Sequence, residues 1–154
     1  MTYYGAPTEI VPRMLELISR NEGFWLAVTG NSMTPTLKHL KDRVYISPFN
    51  RKAKKGDILL TAIHGNHCLL HRVVKCNGDI LYYKGDAQIY CEGPLPVRDV
   101  IGIVTKIERN GKVISVNNFY KLWSTVWRKA MQLRYFIIRV LSRLKRLFSN
   151  NTAL

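Results

Sequence analysis

Apolar and polar positions along the chain follow three successive rhythms. In residues 8–20, TEIVPRMLELISR, the residues Ile10, Val11, Met14, Leu15, Leu17 and Ile18 recur at helical spacing. Thr8 stands where an N-cap belongs, and Gly23 is placed to end the element. From Phe24 to Ser115 the texture becomes short β-branched and aromatic runs: Phe24–Val28, Arg43–Ser47, Asp57–Ile63, His67–Lys75, Asp79–Lys84, Val100–Glu108 and Lys112–Val116. Gly65-Asn66, Asn77-Gly78 and Asn110-Gly111 separate consecutive runs, and such dipeptides meet the positive-φ demands of tight hairpin turns. The middle of the chain is thus predicted to be antiparallel and rich in hairpins.

From Asn117 onward the period returns to helical. Phe119, Leu122, Trp123, Val126, Trp127, Ala130, Leu133, Ile137, Leu141, Leu144 and Phe148 form one apolar stripe, with Lys121, Arg128, Arg139, Arg143 and Arg146 mostly opposite. About 30 residues at 1.5 Å each would make a helix roughly 45 Å long, more than a small β domain can cover. The expected organisation is a helical segment over residues 1–23, a β domain over 24–116 and a basic amphipathic helix over 117–154.

Charge sharpens this division. The chain of 154 residues carries a formal net charge of +14. Residues 1–116 hold 16 Lys and Arg against all ten acids, whereas residues 117–154 hold eight basic residues and no acid. A basic tail points to a polyanionic surface. Nucleic acid would satisfy the charge but leave the long apolar stripe unexplained. An anionic membrane surface accounts for both, with Trp123, Trp127 and Tyr135 at the interface and Arg128, Arg139, Arg143 and Arg146 toward the headgroups. No window approaches the roughly 18 apolar residues of a spanning helix, and the N-terminal MTYYGAPTEIVPRM lacks the plan of a secretory signal. Cys68, Cys76 and Cys91 are odd in number and form no CxxC pair, so the expectation is reduced thiols in a cytoplasmic protein.

Three short stretches carry candidate chemistry. Thr29–Leu37, TGNSMTPTL, follows an apolar run and sets Ser32 between Gly30 and Pro35. A serine in such a turn can combine an exposed hydroxyl with converging backbone N–H groups. In His67–Lys75, HCLLHRVVK, alternation places His71 on one face with Leu69 and Val73, and Leu70 with Arg72 on the other. Partial desolvation favours the neutral imidazole that a serine base requires. Tyr83–Ala87, YKGDA, supplies the carboxylate of Asp86 at a strand end. His64, His67, Cys68 and His71 crowd together, yet their spacing does not meet a zinc pattern, and the expectation is a protein without metal or other cofactor.

In this order, GNSMTPTL, LLHRVV and YKGD resemble the serine peptidases related to signal peptidase I and to the LexA-type self-cleaving repressors. Lys55–Leu59, KGDIL, and Val97–Val104, VRDVIGIV, extend the resemblance over residues 24–106. It implies a mainly β catalytic domain with Ser32 as nucleophile, its backbone N–H in the oxyanion hole, and His71 where archaeal and endoplasmic-reticulum signal peptidases carry their His base. Asp86 would be the third member of the triad, and Met33 and Pro35 would border the substrate groove. Gly30 stands where many signal peptidases place a serine, as in the LexA-like group. The implied activity is limited endoproteolysis of a precursor peptide bound as an added strand, with small residues before the cleaved bond. A non-catalytic peptide-binding module or a membrane-associated adaptor on the same fold is the competing expectation.

Overall fold

The computed structural model describes residues 2–3, 7–63 and 67–117, together with Tyr120, Val126, Ala130 and Leu133. A short strand β1 (Thr2–Tyr3) precedes helix α1 (Pro7–Ser19). Eight strands follow: β2 (Phe24–Ala27), β3 (Asp42–Ser47), β4 (Ile58–Ile63), β5 (His67–Asn77), β6 (Ile80–Lys84), β7 (Glu92–Pro96), β8 (Val100–Arg109) and β9 (Lys112–Ser115). The seven expected runs are thus all strands. The helix starts at Pro7, where a missing N–H costs nothing, so Thr8 lies within its first turn and does not cap it. Its end is set by Asn21 at φ 61° and by the Glu22 N–H donating to Leu17 O at 2.9 Å, a left-handed cap two residues before Gly23.

The strands form one sheet in the order β1-β2-β3-β8-β4-β5-β6-β7, with β9 hydrogen-bonded to β8. Apart from the parallel β1–β2 pair, its ladders are antiparallel. Asn110 and Gly111, at φ 51° and 74°, make the primed turn expected between β8 and β9. Between β5 and β6 the two turn residues are Gly78 and Asp79, because Asn77 already pairs with Ile80. The Gly65-Asn66 turn lies outside the described residues.

Two apolar cores occupy the two sides of the curled sheet. The larger joins Val11 and Met14 of α1 to Phe24, Val44, Ile46, Ile58, Leu60, Val104 and Ile107. The smaller gathers Leu59, Val73, Leu81, Tyr83, Leu95 and Ile103. Ile58 and Leu60 therefore face one core and Leu59 the other, which is why β4 reads as a continuous apolar run. Strands β1 and β7 had no sequence signal. β7, EGPLP, contains two prolines and a glycine, a composition that sheets tolerate at an edge, where β7 lies.

Asn117 Oδ1 accepts the Tyr120 N–H at 2.8 Å, and half-buried Tyr120 packs against the larger core. Beyond it, the expected C-terminal helix falls outside the described residues except at Val126, Ala130 and Leu133. Trp123, Trp127, Arg128, Arg139, Arg143 and Arg146 all lie in that region. Among the described residues no helix is long and apolar enough to cross a membrane.

Leu60, 1% exposed at the centre of the larger core, should cost about 3 kcal/mol when replaced by Ala. Val113→Ala on exposed β9 should cost less than about 1 kcal/mol. Urea unfolding of the two variants checks that difference.

Candidate active site

The β2–β3 connection holds Ser32. Pairing between the strands persists as Val28 N–H donates to Asp42 O and Leu40 N–H to Val28 O, which closes the loop at its base. Gly30 takes a left-handed φ of 83°, and its N–H donates to His39 Nδ1 at 2.9 Å. Two internal bonds shape the turn, Thr34 N–H to Asn31 O and Leu37 N–H to Met33 O. Met33 and Leu37 are buried in the larger core. Met33 therefore anchors the turn from below. Pro35 is half-buried and follows a cis peptide bond.

A buried polar network fastens this loop to the sheet. Arg72 Nε donates to Asp86 Oδ1 at 2.9 Å and Nη2 to Asp86 Oδ2 at 2.8 Å, both side chains being essentially without solvent contact. Arg72 Nη1 reaches Gly56 O at 3.0 Å, and Thr36 Oγ1, in the Ser32 loop, donates to Asp86 Oδ2. On the far side of the loop Arg109 bridges Asp42 and Thr36 O, while Lys38 N–H donates to Asp42 Oδ2 at 2.7 Å. A fork-shaped guanidinium meeting a carboxylate in two parallel bonds is the geometry that best offsets the desolvation of both charges.

His71 lies on the other side of β5, 2% exposed, with its ring centroid 5.8 Å from that of Tyr83. Its Nδ1 is 3.0 Å from Glu92 Oε2. An ionised carboxylate only accepts, so in the neutral ring Nδ1 carries the proton and Nε2 keeps a bare lone pair. Nε2 is buried and has no hydrogen-bond partner among the described residues. Burial pushes the Tyr83 phenol above its ordinary value, and the carboxylates of Glu92 and Asp99 push it further in the same direction. Tyr83 thus stays neutral beside the imidazole.

The carboxylate that orients His71 is therefore Glu92 and not Asp86, which the sequence reading had placed there. The reason is a β-bulge. Next to the β5–β6 turn, Asn77, Cys76 and Lys75 pair with Ile80, Leu81 and Tyr82, a register that would continue to set His71 opposite Asp86. The register shifts between Val73 and Lys75, so that Val73 pairs with Tyr83 and Arg72 with Lys84. Continued, the shifted register sets Gly85 opposite His71 and turns Asp86 to the Arg72 face. Glu92 pairs with Tyr83 and so shares the His71 face.

Gly85 also seats the serine. Ala87 N–H donates to Ser32 O at 2.8 Å, and a Cβ on Gly85 would lie 2.5 Å from Ser32 O and 2.9 Å from Ser32 Cβ. Only a residue without a side chain lets the Ser32 backbone lie across the β6 end, on the side where His71 projects. The Ser32 hydroxyl and Nε2 are not hydrogen-bonded in this conformation. Catalytic pairs are often loose before substrate tightens them. His71 and Glu92 are thus in direct contact, Ser32 packs on Gly85 at the neighbouring strand end, and Asp86 is paired with Arg72 on the opposite face.

The chain matches the Peptidase S24-like family model over residues 4–104, about two thirds of its length. It belongs to that family. The match covers α1 and the strands from β2 through the first half of β8, including Ser32, His71, Asp86 and Glu92. No curated protein matches the chain. The S24-like assignment agrees with the predicted relation to LexA-type and signal-peptidase-I-like serine peptidases, and with the mainly antiparallel β fold.

Two outcomes follow from this packing. Gly85→Ala should separate the Ser32 loop from β6, removing the amide-exchange protection of Ala87 and costing about 1–3 kcal/mol of stability. Tyr83, whose folded-state phenol ionises above the unfolded value of about 10, contributes stability that is complete below that pH. It is lost as pH rises through the folded value. Thermal melts from pH 8 to 11 should therefore decline less steeply in Tyr83→Phe.

Proposed function

We propose that this S24-like chain is a serine endopeptidase with Ser32 as nucleophile and His71 as general base, oriented by Glu92. The observation that carries the reading is a buried Nε2, without a partner among the described residues, on an imidazole whose other nitrogen is held by a carboxylate, at the β6 end against which Ser32 packs. Nε2 takes the Ser32 proton as Oγ attacks the peptide carbonyl. No described residue accepts the Ser32 backbone N–H, which leaves it available to the developing oxyanion. The imidazolium then protonates the leaving amine, and water, activated by the same Nε2, releases the acyl group. Glu92 keeps the Nδ1 proton in place and stabilises the cationic ring while it lasts. Asp86 works through structure, because its charge is committed to Arg72 and to the Thr36 hydroxyl beneath the nucleophile loop.

The substrate on this reading is an extended segment of a precursor peptide, cut once next to a small residue as in related peptidases. The basic C-terminal stretch, on the cytoplasmic side of a membrane, would bring the enzyme to anionic lipid where such precursors are exported.

Mass-spectrometric mapping of cuts in a diverse peptide library tests the chemistry. Wild-type cuts should vanish in Ser32→Ala and in His71→Ala. Glu92→Gln should fold normally and lower kcat by on the order of 10²–10⁴-fold. Asp86→Asn should instead lower stability by about 3–5 kcal/mol, because it leaves the Arg72 charge buried without its counter-ion. Cuts that persist in Ser32→Ala would overturn the assignment of the nucleophile. A wild-type protein that binds library peptides without cutting any would favour the binding-module reading.

A further inference from the structure

The connection between β6 and β7 contains a side chain that the proposed chemistry leaves unused. Gln88 Oε1 accepts the Gly85 N–H at 2.6 Å, while its Nε2 donates to Glu92 Oε1 at 3.0 Å and to Tyr90 Oη at 3.2 Å. The backbone donor fixes the amide's orientation, because only the carbonyl oxygen can accept from Gly85 and the NH₂ group must then face the carboxylate. The two oxygens of Glu92 are thereby divided, Oε2 on His71 and Oε1 on Gln88. One residue earlier, Ala87 N–H holds Ser32 O. Four consecutive residues, Gly85 to Gln88, thus touch the nucleophile turn, the Arg72 clamp and the carboxylate behind the imidazole.

We propose that Gln88 is a positioning residue that sets the Glu92 carboxylate against His71. The proposal rests on the peptidase reading for its catalytic meaning, but not for its geometry. The Glu92 side chain is 24% exposed and has three rotatable bonds, so His71 alone would hold it against competing rotamers turned to water. The second bond, from an amide itself tethered to Gly85, selects the rotamer that points Oε2 at Nδ1. This is the support that a catalytic carboxylate needs to remain oriented through turnover.

The charged and titratable groups around His71 make the test directional. From β4 the uncharged Leu59 pairs with His71, while β6 contributes the neutral Tyr83 phenol, with Asp99 near that phenol. β7 contributes Glu92, and the Arg72–Asp86 pair lies on the opposite face of β5. Gln88→Glu keeps the acceptor for Gly85, removes the donor to Glu92 and adds a negative charge next to it. An added negative charge favours the imidazolium, so His71 in the variant should keep its proton to higher pH than in the wild type.

The experiment is an NMR titration of His71 in the full chain, wild type against Gln88→Glu, with thermal melts alongside. The expected result is an upward-shifted titration in a folded variant. In peptide cleavage the acidic limb of kcat should shift by the same amount, with about a tenfold loss on that limb, recovery at alkaline pH and little change in KM. A lower melting temperature with an unmoved His71 titration would overturn the proposal, since it would show a purely structural role. Should Gln88→Glu not fold, Gln88→Leu provides the second reading through the Nδ1–H proton resonance. That resonance should broaden as Glu92 is freed, and an unchanged resonance would overturn the proposal. Because neither NMR readout needs turnover, failure of the peptidase reading appears separately, as absence of cleavage by the wild type.

Discussion

The buried pair of Arg72 and Asp86 is the constraint from which the rest of the site is built. It joins four parts of the chain that are distant in sequence: β5, the end of β6, the Ser32 loop through Thr36, and the turn before β4 through Gly56. The loop of some fourteen residues between β2 and β3 is also tied at its base, through Ser32 O to Ala87 N–H, through Thr36 O to Arg109 and by the apolar anchors Met33 and Leu37, but this pair alone links it to β5 through buried charge. Loss of one partner would strand a charge in the interior, and that asymmetry makes the pair a strong determinant of where the loop sits. Arg109 repeats the device from the other side with Asp42.

The second organising fact is the two-residue period of a β-strand. His71 and Arg72 are neighbours in the chain and project to opposite faces, each toward its own carboxylate. One face then needs permanent charge neutralisation and provides it through a guanidinium that does not titrate. The other holds a titratable imidazole, with a carboxylate on Nδ1 and no partner for Nε2 among the described residues. If one carboxylate served both, any change of protonation at the imidazole would also disturb the clamp that places the Ser32 loop. The separation keeps the scaffold indifferent to the proton traffic proposed on its other side.

Rigidity and openness are divided in the same way. The strands that carry His71 and Glu92 lie against the smaller core, whereas Ser32 and the segment around Tyr90 reach the surface. Ile89 and Tyr90 are exposed within a few residues of Glu92, in a stretch whose backbone is tied to Gly85 and Ser32. An extended peptide approaching Ser32 would meet an imidazole already oriented by Glu92 and a surface held by hydrogen bonds, conditions that lower the ordering cost of binding.

Local chemistry made much of this visible in the one-dimensional chain. The seven strand runs were legible because their alternation and the Asn-Gly turns act over a few residues, and the placement of His71 with Leu69 and Val73 followed from that period alone. Ser32 stood out because glycine and proline around a serine mark a turn after a strand. β7 was hidden by its prolines, which only an edge position permits. The identity of the carboxylate behind His71 was hidden for a different reason. It turns on one extra residue in β5, a bulge between Val73 and Lys75 that has no sequence signature and changes which side of the sheet every later partner faces. Sequence by itself determined the elements, the Ser32 turn and the face of the imidazole, because those depend on neighbours in the chain. Only the tertiary structure decided that Glu92 meets His71 while Asp86 meets Arg72, because register between strands is a property of their pairing and not of either strand alone.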